Sequence, residues 1–73
     1  MDAKLVSLFQ REATARLNAA EHELVAYTRT CRGKVIELPE MTRIRHLRDR
    51  VDQARIRHLR WTRYRLLAES SVN

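Results

Sequence analysis

Residues 13–31, ATARLNAAEHELVAYTRTC, decide the fold. Within them Ala13, Leu17, Ala20, Leu24, Tyr27 and Cys31 succeed one another at spacings of 4, 3, 4, 3 and 4. At about 100° per residue this rhythm keeps returning to one side of an α-helix. It is the a/d rhythm by which antiparallel helices bury a shared seam. Toward the N-terminus Leu5, Val6 and Phe9 continue the stripe, and Asp2 stands where an N-cap belongs. Leu8, Ala15, Ala19 and Ala26 run beside it, mostly small enough to admit a close second helix. Ser7, Gln10, Arg11, Thr14, Asn18, Glu21, His22 and Thr28 make up the opposite, solvated face. Gly33, the single glycine, suits a left-handed stop after the helix. Arg29 and Arg32 fall in the last turn, where cations suit the helix dipole. One long helix is therefore predicted over residues 2–32.

Residues 33–38, Gly-Lys-Val-Ile-Glu-Leu, form the linker. Val35, Ile36 and Leu38 make it apolar for a loop. The expectation is that it folds over the end of the hairpin and plugs the core; the other reading is an extended segment that pairs with a partner. Pro39 fits the first turn of a second helix, and Glu40 favours its N-terminus. That helix is predicted over residues 39–69. Its stripe is Met41, Ile44, Leu47, Val51, Ala54, His58 and Trp61, extended by Leu66. The pentapeptide Ile-Arg-His-Leu-Arg occurs at residues 44–48 and again at 56–60. An offset of twelve residues leaves a rotation of about 120°, so the two copies face different ways. Ile56, Tyr64 and Leu67 thus fall on a second apolar face, which a second chain is expected to cover.

The chain has 73 residues and a net charge of +6, with one Cys and one Pro. That length is short for a self-sufficient core. A lone Cys31 excludes an internal disulfide, and three scattered His with one Cys do not make a zinc ligand set. Oligomerisation is the remaining staple. The charge is uneven: residues 1–31 carry four basic against four acidic side chains, whereas residues 40–73 carry nine Arg against four acids. Such asymmetry points to an anionic partner. No run is long and apolar enough to span a membrane, and the sequence opens without a signal peptide. With a free thiol, a cytoplasmic location is expected.

The nine arginines of residues 43–65 go nearly all the way round the helix, unlike a DNA-reading helix with one basic side. Arg48 and Arg55 fall within the stripe and are expected to snorkel or to pair with acids of the first helix such as Glu12 or Glu23. Residues 47–52, Leu-Arg-Asp-Arg-Val-Asp, resemble the opening pattern of the all-helical chorismate mutases, in which the motif starts a long first helix and further helices complete the pocket. The likeness covers six positions, and there is no phosphate loop, catalytic carboxylate pair or nucleophile motif. No enzyme activity, catalytic residue, cofactor, metal or small-molecule substrate is expected.

The expectation is one all-α domain over residues 1–73, a two-helix antiparallel hairpin that dimerises into a four-helix arrangement. Its expected function is that of a small helical interaction protein that binds and modulates a partner protein, with an acidic protein as one candidate. Its contact or dimer residues are Ile56, Arg57, Arg60, Trp61, Tyr64 and Leu67. The alternative is a nucleic-acid-binding regulator, with phosphate or acidic-partner contacts from Arg43, Arg45, Arg50, Arg57 and Arg63. A membrane partner is not expected.

Overall fold

The computed structural model describes residues 2–70. Met1 and residues 71–73, the two ends of the expected 1–73 unit, lie outside the described residues. Helix α1 spans Ala3–Thr30 and helix α2 spans Leu38–Ser70. Contacts pair early α1 with late α2: Phe9 stacks on Trp61, and Glu23 meets Arg43 and Arg50. The two helices therefore pack antiparallel, in a rod with Cα extents of 58 × 15 × 13 Å.

Each helix end has a local cause. Asp2 caps α1, its Oδ1 accepting from the Lys4 amide at 3.0 Å. At the other end the amides of Cys31 and Arg32 donate to Thr28 and Arg29 carbonyls, both at 3.2 Å. These are tight three-residue turns, and they stop α1 at Thr30, two residues before the expected limit. Gly33 follows at φ +78°, a left-handed conformation that glycine adopts without strain. The Met41 amide donates to the Glu37 carbonyl at 3.0 Å, so α2 begins at Leu38, with Pro39 in its first turn.

The seam keeps the heptad rhythm over its whole length. On α1, Val6, Gln10, Ala13, Leu17, Ala20, Leu24, Tyr27 and Cys31 are buried or half-buried. On α2 the matching line is Glu40, Ile44, Leu47, Val51, Ala54, His58, Trp61 and Ala68. Among the described residues five side chains are buried, Val6, Ala13, Ala20, Leu47 and Val51, and of these Val6 and Leu47 are fully enclosed. Two of the five are alanines, so this core is thin.

Several expectations about the faces change. Gln10 belongs to the seam, not to the solvated face: its Nε2 donates to Thr62 Oγ1 at 3.3 Å, and its Oε1 accepts from Arg65 at 2.7 Å. Thr14 and Glu21 are half-buried beside it. Leu5 and Phe9 leave the seam correspondingly, and so do Met41 and Leu66. The heptad position, rather than apolar character, decides which side chain faces the partner helix. Leu8, Ala15, Ala19 and Ala26 are exposed within the hairpin.

The linker does not plug the core. Val35 is 89% exposed and Leu38 75% exposed. Ile36 and Leu38 instead edge an open groove beside Leu24 and Ile44.

Of the two arginines expected to pair with acids of α1, one does so, through a different acid. Arg48 and Arg55 are exposed beside the seam. Arg55 meets Glu21 at 3.6 Å, while Glu23 takes Arg43 at 3.3 Å and Arg50 at 3.1 Å. Glu12 is held by Arg16 of its own helix at 2.6 Å. The bridges to Glu21 and Glu23 lie on opposite flanks of the seam, where antiparallel helices bring like heptad positions together. They fix direction and register more than stability, since exposed pairs contribute about 1 kcal/mol or less.

Candidate functional site

One flank of the hairpin gathers most of the chemistry. Phe9 of α1 and Arg57 and Tyr64 of α2 occupy equivalent positions beside the seam, one step out from Trp61. The Phe9 and Trp61 ring centroids are 5.0 Å apart and tilted by 32°. Trp61 and Tyr64 meet edge to face at 5.6 Å and 64°. Such geometries let each ring edge meet a neighbouring face. Trp61 is half-buried, and Phe9 and Tyr64 are 38% and 46% exposed. Leu5 precedes Phe9 by one helical turn, and Leu67 follows Tyr64 by one. Both are exposed, which extends the patch to the open end of the rod.

From Phe9 and Trp61 a shallow trough runs toward the middle of the hairpin. Two adjoining cavities of about 300 and 410 Å³ share Ala13, Arg16 and Arg57. Ala13, Ala20 and Ala54 line it where the helices meet, because alanines at these seam positions leave no side chain to fill the flank. Arg16, Arg50 and Arg57 edge it. Arg16 and Arg50 are engaged by Glu12 and Glu23, while Arg57 makes no ion pair among the described residues.

Five of the six expected contact residues lie on this side of α2. Arg57 borders the trough, Trp61 forms its end with Tyr64 against it, and Arg60 and Leu67 lie one step outward. Ile56 lies farther round, on the outer surface with Leu59 and Leu66, and is 59% exposed. The expected phosphate-contacting set is not brought together. Arg43 and Arg50 share Glu23, Arg45 lines a separate groove on the other flank, and Arg63 faces outward. Phe9, Leu5 and Arg16 join the site without having been singled out for it. Their signal was present, because a seam running through Gln10 places Phe9 and Arg16 seven residues apart on one flank.

The closed end holds a second polar group. One carboxylate oxygen of Glu40, Oε2, is enclosed without a hydrogen-bond partner among the described residues. Burial at the seam raises the Tyr27 phenol above its ordinary pKa of 10.0, Cys31 and Glu40 add to the rise, and Arg43 opposes it. Among the described residues no cluster of His, Cys, Asp or Glu could hold a metal ion, and no helix is long and apolar enough to cross a membrane. Comparison of the chain with family models, curated proteins and solved structures returned no match.

Proposed function

We propose that this chain is a helical interaction module whose Trp61 flank is covered by a second copy in the free protein and is given over to a partner protein that the chain binds and modulates. The carrying observation is the aromatic chain Phe9–Trp61–Tyr64, left half open beside an unpaired Arg57 and between Leu5 and Leu67. Aromatic side chains with arginine are the residues that dominate binding energy at interfaces. An alanine-lined trough running from them suits a helix that approaches closely.

Area supports self-association. The hairpin exposes 6176 Å². A compact protein of its 8.7 kDa exposes about 4,700 Å², so the rod carries roughly 1,400 Å² in excess. A standard interface takes about 800 Å² from each partner. A second copy on the Trp61 flank, completing a four-helix arrangement, would cover a little over half of that excess and reinforce a core of five buried side chains.

The nucleic-acid reading has weaker support. Arg43 and Arg50 are engaged with Glu23, and Arg45, Arg57 and Arg63 point to different sides of the hairpin. A basic face with a single direction is what phosphate tracking asks for.

Sedimentation equilibrium tests the reading. The wild type is expected to be dimeric, and a Tyr64→Glu/Leu67→Glu variant monomeric with its helical circular dichroism kept. A wild type that stays monomeric at high concentration refutes the self-association. A tagged pull-down from the native host after nuclease treatment, run beside the same variant, then tests the partner. Recovery of the same proteins by both forms removes the Trp61 flank as the contact. A gel shift at low salt that weakens steeply as salt rises would favour the nucleic-acid reading instead.

A further inference from the structure

The closed end of the hairpin carries an apolar surface of a different kind. Val35, Leu38, Met41 and Ile36 are 89%, 75%, 56% and 47% exposed. Ile36, Leu38 and Met41 line one groove together with Leu24 and Ile44, so the apolar surface is continuous. Loops normally expose polar side chains, and a contiguous apolar patch marks a place where something binds. It lies toward the closed end of a rod 58 Å long, with Val35 and Leu38 its most exposed side chains.

Its rim is basic. Arg29, Arg32 and Lys34 flank the linker, all exposed and without an ion pair among the described residues. Arg45 and Arg48 line the same groove, likewise without ion pairs. On the acidic side the linker has Glu37, while Glu40 is half-buried and Asp49 and Asp52 lie farther along the groove.

We propose that the closed end docks on an anionic lipid surface. Val35, Ile36, Leu38 and Met41 enter the boundary between headgroups and acyl chains, and Arg29, Arg32 and Lys34 meet the lipid phosphates. A bilayer fits this tip better than a protein cleft does. The exposed apolar side chains are aliphatic, which demands depth but no matching shape, and Arg29, Arg32 and Lys34 bring three exposed cations into the same short stretch of chain. Interfacial docking needs no membrane span; it draws on buried apolar area together with attraction between basic residues and anionic lipid.

The test is cosedimentation of the full chain with phosphatidylcholine vesicles containing roughly 30 mol% phosphatidylserine, in low salt. The wild type is expected to bind these vesicles and to lose most of that binding on pure phosphatidylcholine or in high salt. Val35→Ser/Leu38→Glu is expected to bind about a hundredfold more weakly. Arg29→Gln/Arg32→Gln is expected to bind about thirtyfold more weakly. All four side chains are exposed and none is a seam position, and a glutamate at the first position of α2 suits the helix dipole, so both variants are expected to keep the fold. Absence of vesicle binding by the wild type overturns the proposal. So does equal binding to neutral vesicles, or binding that survives the Val35/Leu38 change. If that change instead lowers the sedimenting mass of lipid-free protein, the tip is a contact between protein copies and the lipid proposal fails. All of these variants leave Tyr64 and Leu67 intact, so the outcome is independent of the Trp61 flank.

Discussion

The repeated pentapeptide offers an internal control for the seam. Leu47 and Leu59 each occupy the fourth place of Ile-Arg-His-Leu-Arg within the same helix. Their local helix propensity is therefore the same, but Leu47 is 1% exposed and Leu59 65% exposed. Leu47→Ala removes three carbons from the enclosed core. At about 0.8 kcal/mol per methylene that is roughly 2.4 kcal/mol, and the residual cavity brings the loss to about 3 kcal/mol. A domain of this length is stable by about 4–11 kcal/mol in total, so the loss is a large share. The midpoint of thermal unfolding should fall by about 12–24 °C. Leu59→Ala should stay within about 0.5 kcal/mol of the wild type, because it removes exposed surface and substitutes an even better helix former. Thermal and urea melts by circular dichroism, at one fixed protein concentration, make the comparison. Equal losses at the two positions refute the register, because the pentapeptides face directions about 120° apart and one seam cannot cover both.

Three further outcomes follow from particular contacts. Glu23→Gln removes the bridges to Arg43 and Arg50; it should cost about 1 kcal/mol or less in dilute buffer, and the difference should shrink in high salt, measured by urea melts in both conditions. Gly33→Ala meets no atom within 4 Å but keeps φ +78°, so it should destabilise by about 1–2 kcal/mol through backbone strain alone, again by urea melt. In Tyr64→Phe, with Tyr27 the remaining tyrosine, ultraviolet titration should find a phenol midpoint above 10.0 in the folded protein. Because the folded pKa lies above the unfolded one, the neutral phenol's stabilisation is complete below pH 10.0 and declines as pH rises through the folded value.

The fold was legible in sequence because its determinants are local and periodic. Ala13 to Cys31 alone define a seam, and Asp2, Gly33 and Pro39 mark helix ends through backbone chemistry that needs no tertiary partner. The errors arose where apolar character and heptad position conflict. Phe9 looks like core and Gln10 like surface, but a supercoiled seam keeps the heptad phase and hides the glutamine, whose amide is satisfied by Thr62 and Arg65. Nothing in residues 9 and 10 themselves resolves that conflict; it takes the phase set by Val6 and Ala13. The linker failed for a related reason. Hydrophobicity says that Val35 and Leu38 gain by burial, but not that there is room for them, and a two-helix seam has no interior beyond its facing side chains.

Charge and specificity are carried by different residues. The excess of positive charge resides in α2, and the facing acids of α1 neutralise only part of it: Glu23 engages Arg43 and Arg50, and Glu21 engages Arg55. Arg45, Arg48, Arg57, Arg60 and Arg63 remain without ion pairs among the described residues, and they point to several sides of the hairpin. A distribution of that kind raises encounter rates with any anionic surface and imposes little registry on it. Registry must then come from groups with fixed shape. Phe9, Trp61 and Tyr64 have it, since each ring is held by its neighbour at a defined angle. If the arginines set the approach and the rings set the fit, high salt should slow association with a partner at the Trp61 flank and leave its dissociation nearly unchanged, whereas Tyr64→Ala should mainly speed dissociation.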